Sequence, residues 1–241
     1  MNQREVPRSD NWDDIAGWWS NEIVDDAAYR SDVHPLYEQL TANMDGLVVD
    51  LGCGQGQAMP ATGTRTVGVD LSQALLIEAA SVGPVARVRL PNLGCFRTDA
   101  FDHAGSIYLI DLIEDDKLFF AETARVVKPG GSLAIVINHP AFTAPGSAPI
   151  GDIDGEVLWR WGEYDSTGSS SAPAGHRTID FFHRPLGELL TTAAASGWSL
   201  VEMHERPLSR EAIQAMPGYE GQESIPRLLG VRWLNSAAVL S

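Results

Sequence analysis

Cysteine is scarce in this chain of 241 residues: there are two, Cys53 and Cys95. Two thiols make no disulfide framework, and no CxxC or Cys/His cluster suggests a metal site, so none is expected. Basic residues are also few, 17 Lys and Arg against 32 Asp and Glu, for a net charge of -15. So acidic a surface repels phosphate backbones and anionic membrane faces, which argues against nucleic acid and membrane partners. No apolar run approaches the ~20 residues of a membrane span. The start, MNQREVPRSDNWDD, has no apolar stretch of the kind a signal peptide needs. The expectation is a cytoplasmic protein. The 44% of apolar residues suffices for a large core.

Residues 10–44 read as two helices. Trp12, Ile15 and Trp19 fall on one face of the first, and Asp10 or Asn11 is its expected cap. Short apolar strands then alternate with helices. Strands are expected at 47–51, 66–69, 85–88, 106–110 and 133–137, with a helix from Ser72 as N-cap and another over 115–127 that stops at Lys128-Pro129-Gly130-Gly131. That alternation predicts a parallel sheet covered on both faces. The pattern breaks at Asn138. Residues 139–184 are rich in Gly, Pro, Ser and aromatics, lack periodicity, and read as an irregular inserted cap with a flexible tip at 166–171. A helix over 184–196, a strand over 198–203, an irregular stretch over 205–227 and a last strand over 230–234 complete the chain.

The sharpest signal is VVDLGCGQG at 48–56. A strand that ends in Gly52-Cys53-Gly54-Gln55-Gly56 offers backbone N–H groups and little bulk at its carboxyl end, where open α/β sheets bind ligands. Asp70, at the tip of the next strand, is placed to accept both ribose hydroxyls of an adenine nucleoside. A nicotinamide or flavin dinucleotide follows the same logic, but its fingerprint is GxGxxG with a helix N-terminus on the pyrophosphate. Here the run is GxGxG and position 57 is Gln. Asp50 ahead of the turn also suits an ammonium better than a pyrophosphate.

VVDLGCGQG, then VGVDLS at 67–72 and FFAETARVVKPGGSLAIVIN at 119–138, resembles the class I methyltransferases that use S-adenosylmethionine (SAM), nearest to the small-molecule branch with a methyltransferase type 11 domain. The resemblance extends to residues 183–205 and 225–234. It implies an α/β fold: a Rossmann-like, doubly wound, mostly parallel seven-stranded sheet with an N-terminal helical lid and an inserted cap after the fifth strand. The implied divisions are a lid at 1–44, a SAM-binding core at 45–138, a cap at 139–184 and a completing helix and strands at 185–241. It also implies that Asp50, Gly52, Cys53, Gly54 and Gly56 surround the methionine part of SAM, with Tyr29 near its carboxylate. Asp70 is implied to hold the ribose, Leu71 to pack on adenine, Leu90 to offer backbone contacts to it, and Asp111 to lie near the sulfonium. Many relatives have a Leu-Glu-His triplet at that last place; here it is Ile110-Asp111-Leu112, without the His. The link from Gly56 to Val67 holds Pro60 and Gly63, so a first helix there is about one turn long or irregular.

For the second reactant, Asn138 and His139 leave the fifth strand where this fold binds substrate. His139 is either a general base or only a turn residue in His-Pro. Within the cap, Tyr164 and Asp165 are the expected polar handles among aromatic walls. The function expected from the resemblance is methyl transfer to an O-, N- or C-nucleophile of a small molecule in specialised metabolism, yielding S-adenosylhomocysteine (SAH). Two alternatives stand beside it: intramolecular cyclisation of SAM with release of methylthioadenosine, and SAM binding without catalysis. A small-molecule substrate is the expected partner, and a homodimer is left open.

Overall fold

In a computed structural model, residues 12–59 and 65–236 are described, with the side chains of 23–25 left aside. The expected cap at Asp10 or Asn11 and the Pro60 and Gly63 of the link lie outside the described residues. The short β-branched runs form a seven-stranded sheet. Its members are β1 (Leu47–Leu51), β2 (Arg65–Asp70), β3 (Val85–Arg87), β4 (Phe101–Ile107), β5 (Val127–Asn138), β10 (Trp198–Arg206) and β11 (Leu228–Asn235), in the order β10-β11-β5-β4-β1-β2-β3. Strands β1 to β5 pair in parallel, and β11 runs antiparallel to both neighbours. This is the expected mostly parallel, doubly wound arrangement.

Both faces are covered because side chains alternate along each strand. Leu133, Ile135 and Ile137 of β5 join one apolar cluster with Phe119 and Phe120 of α4 (Asp116–Val126) and Leu189 of α6 (Leu186–Ala195). Ala134 and Val136 point the other way, to Leu36, Tyr37 and Leu40 of α2 (His34–Thr41). Before α2, helix α1 (Ala16–Asp25) lies against α3 (Gln73–Ala79). The expected stripe exists: Ile15 is buried and the Trp12 and Trp19 rings meet edge to face at 6.0 Å. No helix among the described residues is long and apolar enough to cross a membrane.

Three expectations need correction. The fourth strand ends at Ile107 rather than 110. Its first half is disguised by Asp102 and His103, which are satisfied by the strands on either side: Leu47 N–H of β1 donates to Asp102 at 2.8 Å and Ser132 N–H of β5 to His103 Nδ1 at 3.0 Å. The chain then turns at Tyr108, in the left-handed region at φ 54°, into one 3-10 turn at Ile110–Leu112, so Asp111 sits on that turn and not at a strand end.

The cap is not irregular. It contains α5 (Pro140–Thr143) and two antiparallel hairpins, β6 (Ala148–Gly151) with β7 (Val157–Arg160) and β8 (Gly168–Ala174) with β9 (Arg177–His183). The serine run read as a tip is strand: Ser169, Ser170 and Ser171 pair with Phe182, Phe181 and Asp180. A hairpin strand with a solvated face needs few apolar residues, so composition concealed it.

The stretch 205–227 is likewise ordered. Strand β10 runs to Arg206, and α7 (Arg210–Ala215) follows, capped where Ala212 N–H donates to Ser209 Oγ at 3.2 Å.

Candidate functional site

Two cavities open along the carboxyl ends of the parallel strands. The first, about 540 Å³, runs from the glycine turn past Asp70 and Leu71 to Val88, Leu90 and Pro91. The second, about 410 Å³, lies over the ends of β4 and β5 and includes Asp111, Asn138, Tyr219 and Arg227. Trp19, Tyr108, Leu112 and Ile179 line both, so the two meet at a shared wall. Both volumes fall in the ~300–1,000 Å³ range of small-molecule sites.

The turn's geometry departs from expectation in one informative way. Gly52 and Cys53 N–H both donate to Val69 O, at 2.8 and 3.0 Å, Gly54 N–H donates to Asp70 Oδ2 at 2.9 Å, and Gly56 N–H to Cys53 O at 2.9 Å. Four of its five amides are therefore spent inside the protein, and the turn makes no nest for a pyrophosphate. What it offers is absence of bulk. Gly52 and Gly54 have φ of 70° and 54°, and a Cβ on Gly52 would come within 2.9 Å of Leu109 Cδ1. Gly56 does not face the cavity; a Cβ there would meet Ala79 of α3 at 3.2 Å. Cys53 is buried beside Gly68 and Met59, where burial pushes its thiol up.

Asp70 is fixed from both sides. Its Oδ1 accepts from Ser72 N–H at 2.8 Å while Oδ2 holds the turn. Burial raises this carboxyl, and the amides of Ser72 and Gly54 pull against that rise. Each oxygen keeps a lone pair for the cavity. Leu71, Val88, Leu90 and Pro91 form an apolar slot beyond it.

Asp50 does not line the cavity. It is fully buried, its Oδ2 has no hydrogen-bond partner among the described residues, and burial, then the Asp70 charge, pushes its carboxyl up to about 7. Tyr29 is buried close enough to sense the Asp50 charge, and it too is off the cavity wall. An orphaned buried carboxyl oxygen is what a cationic ligand group would satisfy, and an ammonium fits it where a phosphate does not.

The lid and cap close the cavities. Asp13 accepts from Ser72 Oγ at 2.7 Å and from Ala74 N–H at 3.0 Å, which ties the start of the lid to α3. Asp14 meets Arg177 of the cap at 3.1 Å. Strand β9 crosses the shared wall: Thr178, Asp180 and Phe182 face the first cavity, Phe181 the second, and Ile179 both. Beneath it, buried Arg184 pairs with Asp116 at 2.9 Å and donates to the carbonyls of Ile110, Ile113, Glu114 and Phe182. Arg184 thereby sets the turn carrying Asp111. Asp111 makes no hydrogen bond among the described residues, and burial raises it to about 7 against the pull of Arg184 and Arg227.

Among the four expected catalytic residues, only Asn138 lines a cavity; its Oδ1 accepts from Arg227. His139 is 3% exposed and both ring nitrogens are engaged, Nδ1 accepting from Ala141 N–H at 3.1 Å and Nε2 facing Glu205 at 2.8 Å. It caps α5, and of its two expected readings the geometry supports the turn residue. Tyr164 Oη accepts from Leu186 N–H at 3.3 Å, and Asp165 is exposed; neither lines a cavity. The cap's contribution comes instead from β9, and the cation of the second cavity, Arg227, was not foreseen. It precedes β11, whose antiparallel course returns it to the carboxyl edge: Leu228 pairs with Asn138. A single basic residue ahead of the apolar run LLGV was the available signal.

Residues 49–135 match the model of a methyltransferase domain. A ubiquinone biosynthesis O-methyltransferase of Brucella anthropi is 29% identical over 168 residues, which span 66% of this chain and 62% of that relative. A SAM-dependent methyltransferase structure from Mesorhizobium loti has a TM-score of 0.74 at 26% identity, over 88% of this chain and 99% of that one. A further structure, from Listeria monocytogenes, shares the fold with a TM-score of 0.71 at 21% identity, over 85% of this chain and 96% of that one. With the sheet order, the cradle at Gly52 and Gly54 and the Asp70 carboxylate, these matches make residues 49–135 a methyltransferase domain, give the chain the fold of class I SAM-dependent methyltransferases, and indicate SAM as the cofactor.

Proposed function

We propose that this protein transfers the methyl group of SAM to a small molecule held in the second cavity. The observation that carries this reading is the pair of cavities meeting at Trp19, Tyr108, Leu112 and Ile179, one bounded by Asp70 and the other by Asp111. SAM, when bound, supplies an electrophilic methyl carbon on a cationic sulfur. The chain's own task is positioning, exclusion of water and proton management.

Asp70 holds the ribose hydroxyls, and Leu71, Val88, Leu90 and Pro91 hold the adenine. Asp50, buried behind the cavity wall near Tyr29, supplies from there the negative charge that draws the ammonium. Trp19 and β9 exclude water from the junction. Asp111 is the group that takes a proton from the acceptor's nucleophile: it is in the second cavity, next in sequence to the shared wall, and carries no competing hydrogen bond. With His139 engaged elsewhere, Asp111 replaces it as the proposed base. A cavity of about 410 Å³ beside the cofactor favours an external acceptor over cyclisation of SAM on itself.

The test is incubation with SAM and a mixed set of small hydroxyl, amine and carbon acids, with mass analysis of products. SAH together with a product heavier by one methylene supports the reading. Methylthioadenosine, or no turnover despite SAM binding, contradicts it.

A further inference from the structure

Resting on the reading of the second cavity as the acceptor site, we infer that it selects acceptors carrying a carboxylate, held by Arg227. Arg227 is the only Lys or Arg among the described residues lining that cavity. Its backbone is fixed on both sides, since its N–H donates to Arg206 O at 2.8 Å and its carbonyl accepts from His139 N–H at 2.9 Å. The guanidinium lies 3.8 Å over the centre of the Phe142 ring, with Tyr219 at 5.9 Å, and one arm donates to Asn138 Oδ1.

Asp111 feels the Arg227 charge across the cavity, but no carboxylate among the described residues is in contact with the guanidinium. Arg87, Arg125, Arg177, Arg184 and Arg232 each reach a carboxylate within 4 Å; among the described residues Arg227 reaches none, in a chain with almost twice as many acids as bases. A half-buried guanidinium that is stacked, oriented and short of an anion is a preorganised fork for a planar bidentate acceptor. Asn138 fixes the fork's rotation. Stacking on Phe142 holds its plane without using its donors.

The other ionisable groups of the cavity do not build an equivalent cation site. Glu22 is exposed at the rim, and Asp26 spends Oδ1 on Ala28 N–H at 2.8 Å. Asp111 lies by the shared wall. The remaining surface is largely aromatic and aliphatic, with Trp18, Trp19, Phe181 and Tyr219 suited to a flat apolar body. The occupant so described is a flat, largely apolar acid, its carboxylate on Arg227 and its nucleophile toward Asp111.

The experiment is calorimetric titration of the whole protein, with and without saturating SAH, using benzoate, phenylacetate, 4-hydroxybenzoate and 3-phenylpropionate, each beside its primary amide and its corresponding amine. The inference predicts that at least one acid binds about tenfold or more tighter than its amide. Arg227→Gln should erase that preference while SAH affinity stays near wild type, and Arg227→Lys should keep a reduced preference. If every acid binds no better than its amide, if the amines bind best, or if Arg227→Gln keeps the wild-type preference, the inference is overturned. Absence of SAH binding would strike the cofactor reading instead, because the acid-to-amide ratio is measured separately without SAH.

Discussion

The first cavity takes its walls chiefly from 52–54, 70–71, 88–91 and 107–115, stretches that follow one another along the core, with Trp12, Trp19 and β9 closing over them. The second draws on residues 18–28, 108–112, 138, 179–181 and 208–228, five regions that meet only when the sheet is complete. The first is locked by the backbone at its glycine end, where amides of the turn bind Val69 O and Asp70, and only its far wall at Ile113 and Glu114 hangs on a distant side chain, Arg184. The second is locked by long-range side chains, above all Arg184 on the 110–114 segment and Arg227 on Asn138. A local, backbone-built site serves a constant ligand. A site assembled from side chains of separate elements can change its occupant without disturbing the first.

The sharpest way to break this contrast is Arg184→Met. It strands Asp116, a buried acid, and releases four carbonyls, a loss of roughly 3–5 kcal/mol. For a chain of this size Tm should fall by about 10 °C. A shift below about 2 °C by calorimetry would show that the second region does not hang on this cation. Next in size, Asp70→Ala should weaken SAH binding by tenfold or more, from loss of hydrogen bonds to a charged acceptor of about 1.5–3 kcal/mol each. Titration showing unchanged affinity would remove Asp70 from the ribose.

Smaller is the pH effect. Burial raises Asp50 to about 7 in the free protein, and a bound ammonium favours its carboxylate. Binding must therefore release a proton below pH 7, so SAH affinity should hold above that pH and fall as pH drops through 7, by up to about tenfold per unit. Asp50→Asn should bind weakly at every pH and lose the slope; a mutant that keeps the slope would place the titrating group elsewhere. The smallest effect belongs to His139→Gln. Turnover should stay within about twofold of wild type, with a modest loss of Tm from the α5 cap. A collapse of kcat with Tm intact would restore His139 as the base.

The same contrast explains what could be read from the residues alone. The order of β1 to β5, the glycine turn and Asp70 were legible because a local motif and a repeating strand–helix pattern carry them. Asp111 was legible as a position, although Tyr108 turns the chain before it and puts it in the second cavity. Misreadings concentrate where function depends on tertiary assembly. The serine-rich β8 hides its pairing with β9, since one solvated hairpin face needs no apolar pattern. His139 has the chemistry of a base, and only the fold brings Glu205 to its ring. Arg227 becomes visible as a site residue once β11 is known to run antiparallel, which no local spacing encodes.

The most direct measurement is a crystal structure of the protein with SAH and its sulfur position. The account predicts ribose hydroxyls on the Asp70 carboxylate, adenine between Leu71 and Leu90, the ammonium toward Asp50, and sulfur at the wall of Tyr108 and Leu112, facing the second cavity. SAH bound elsewhere, or with its sulfur turned away from that cavity, would contradict it.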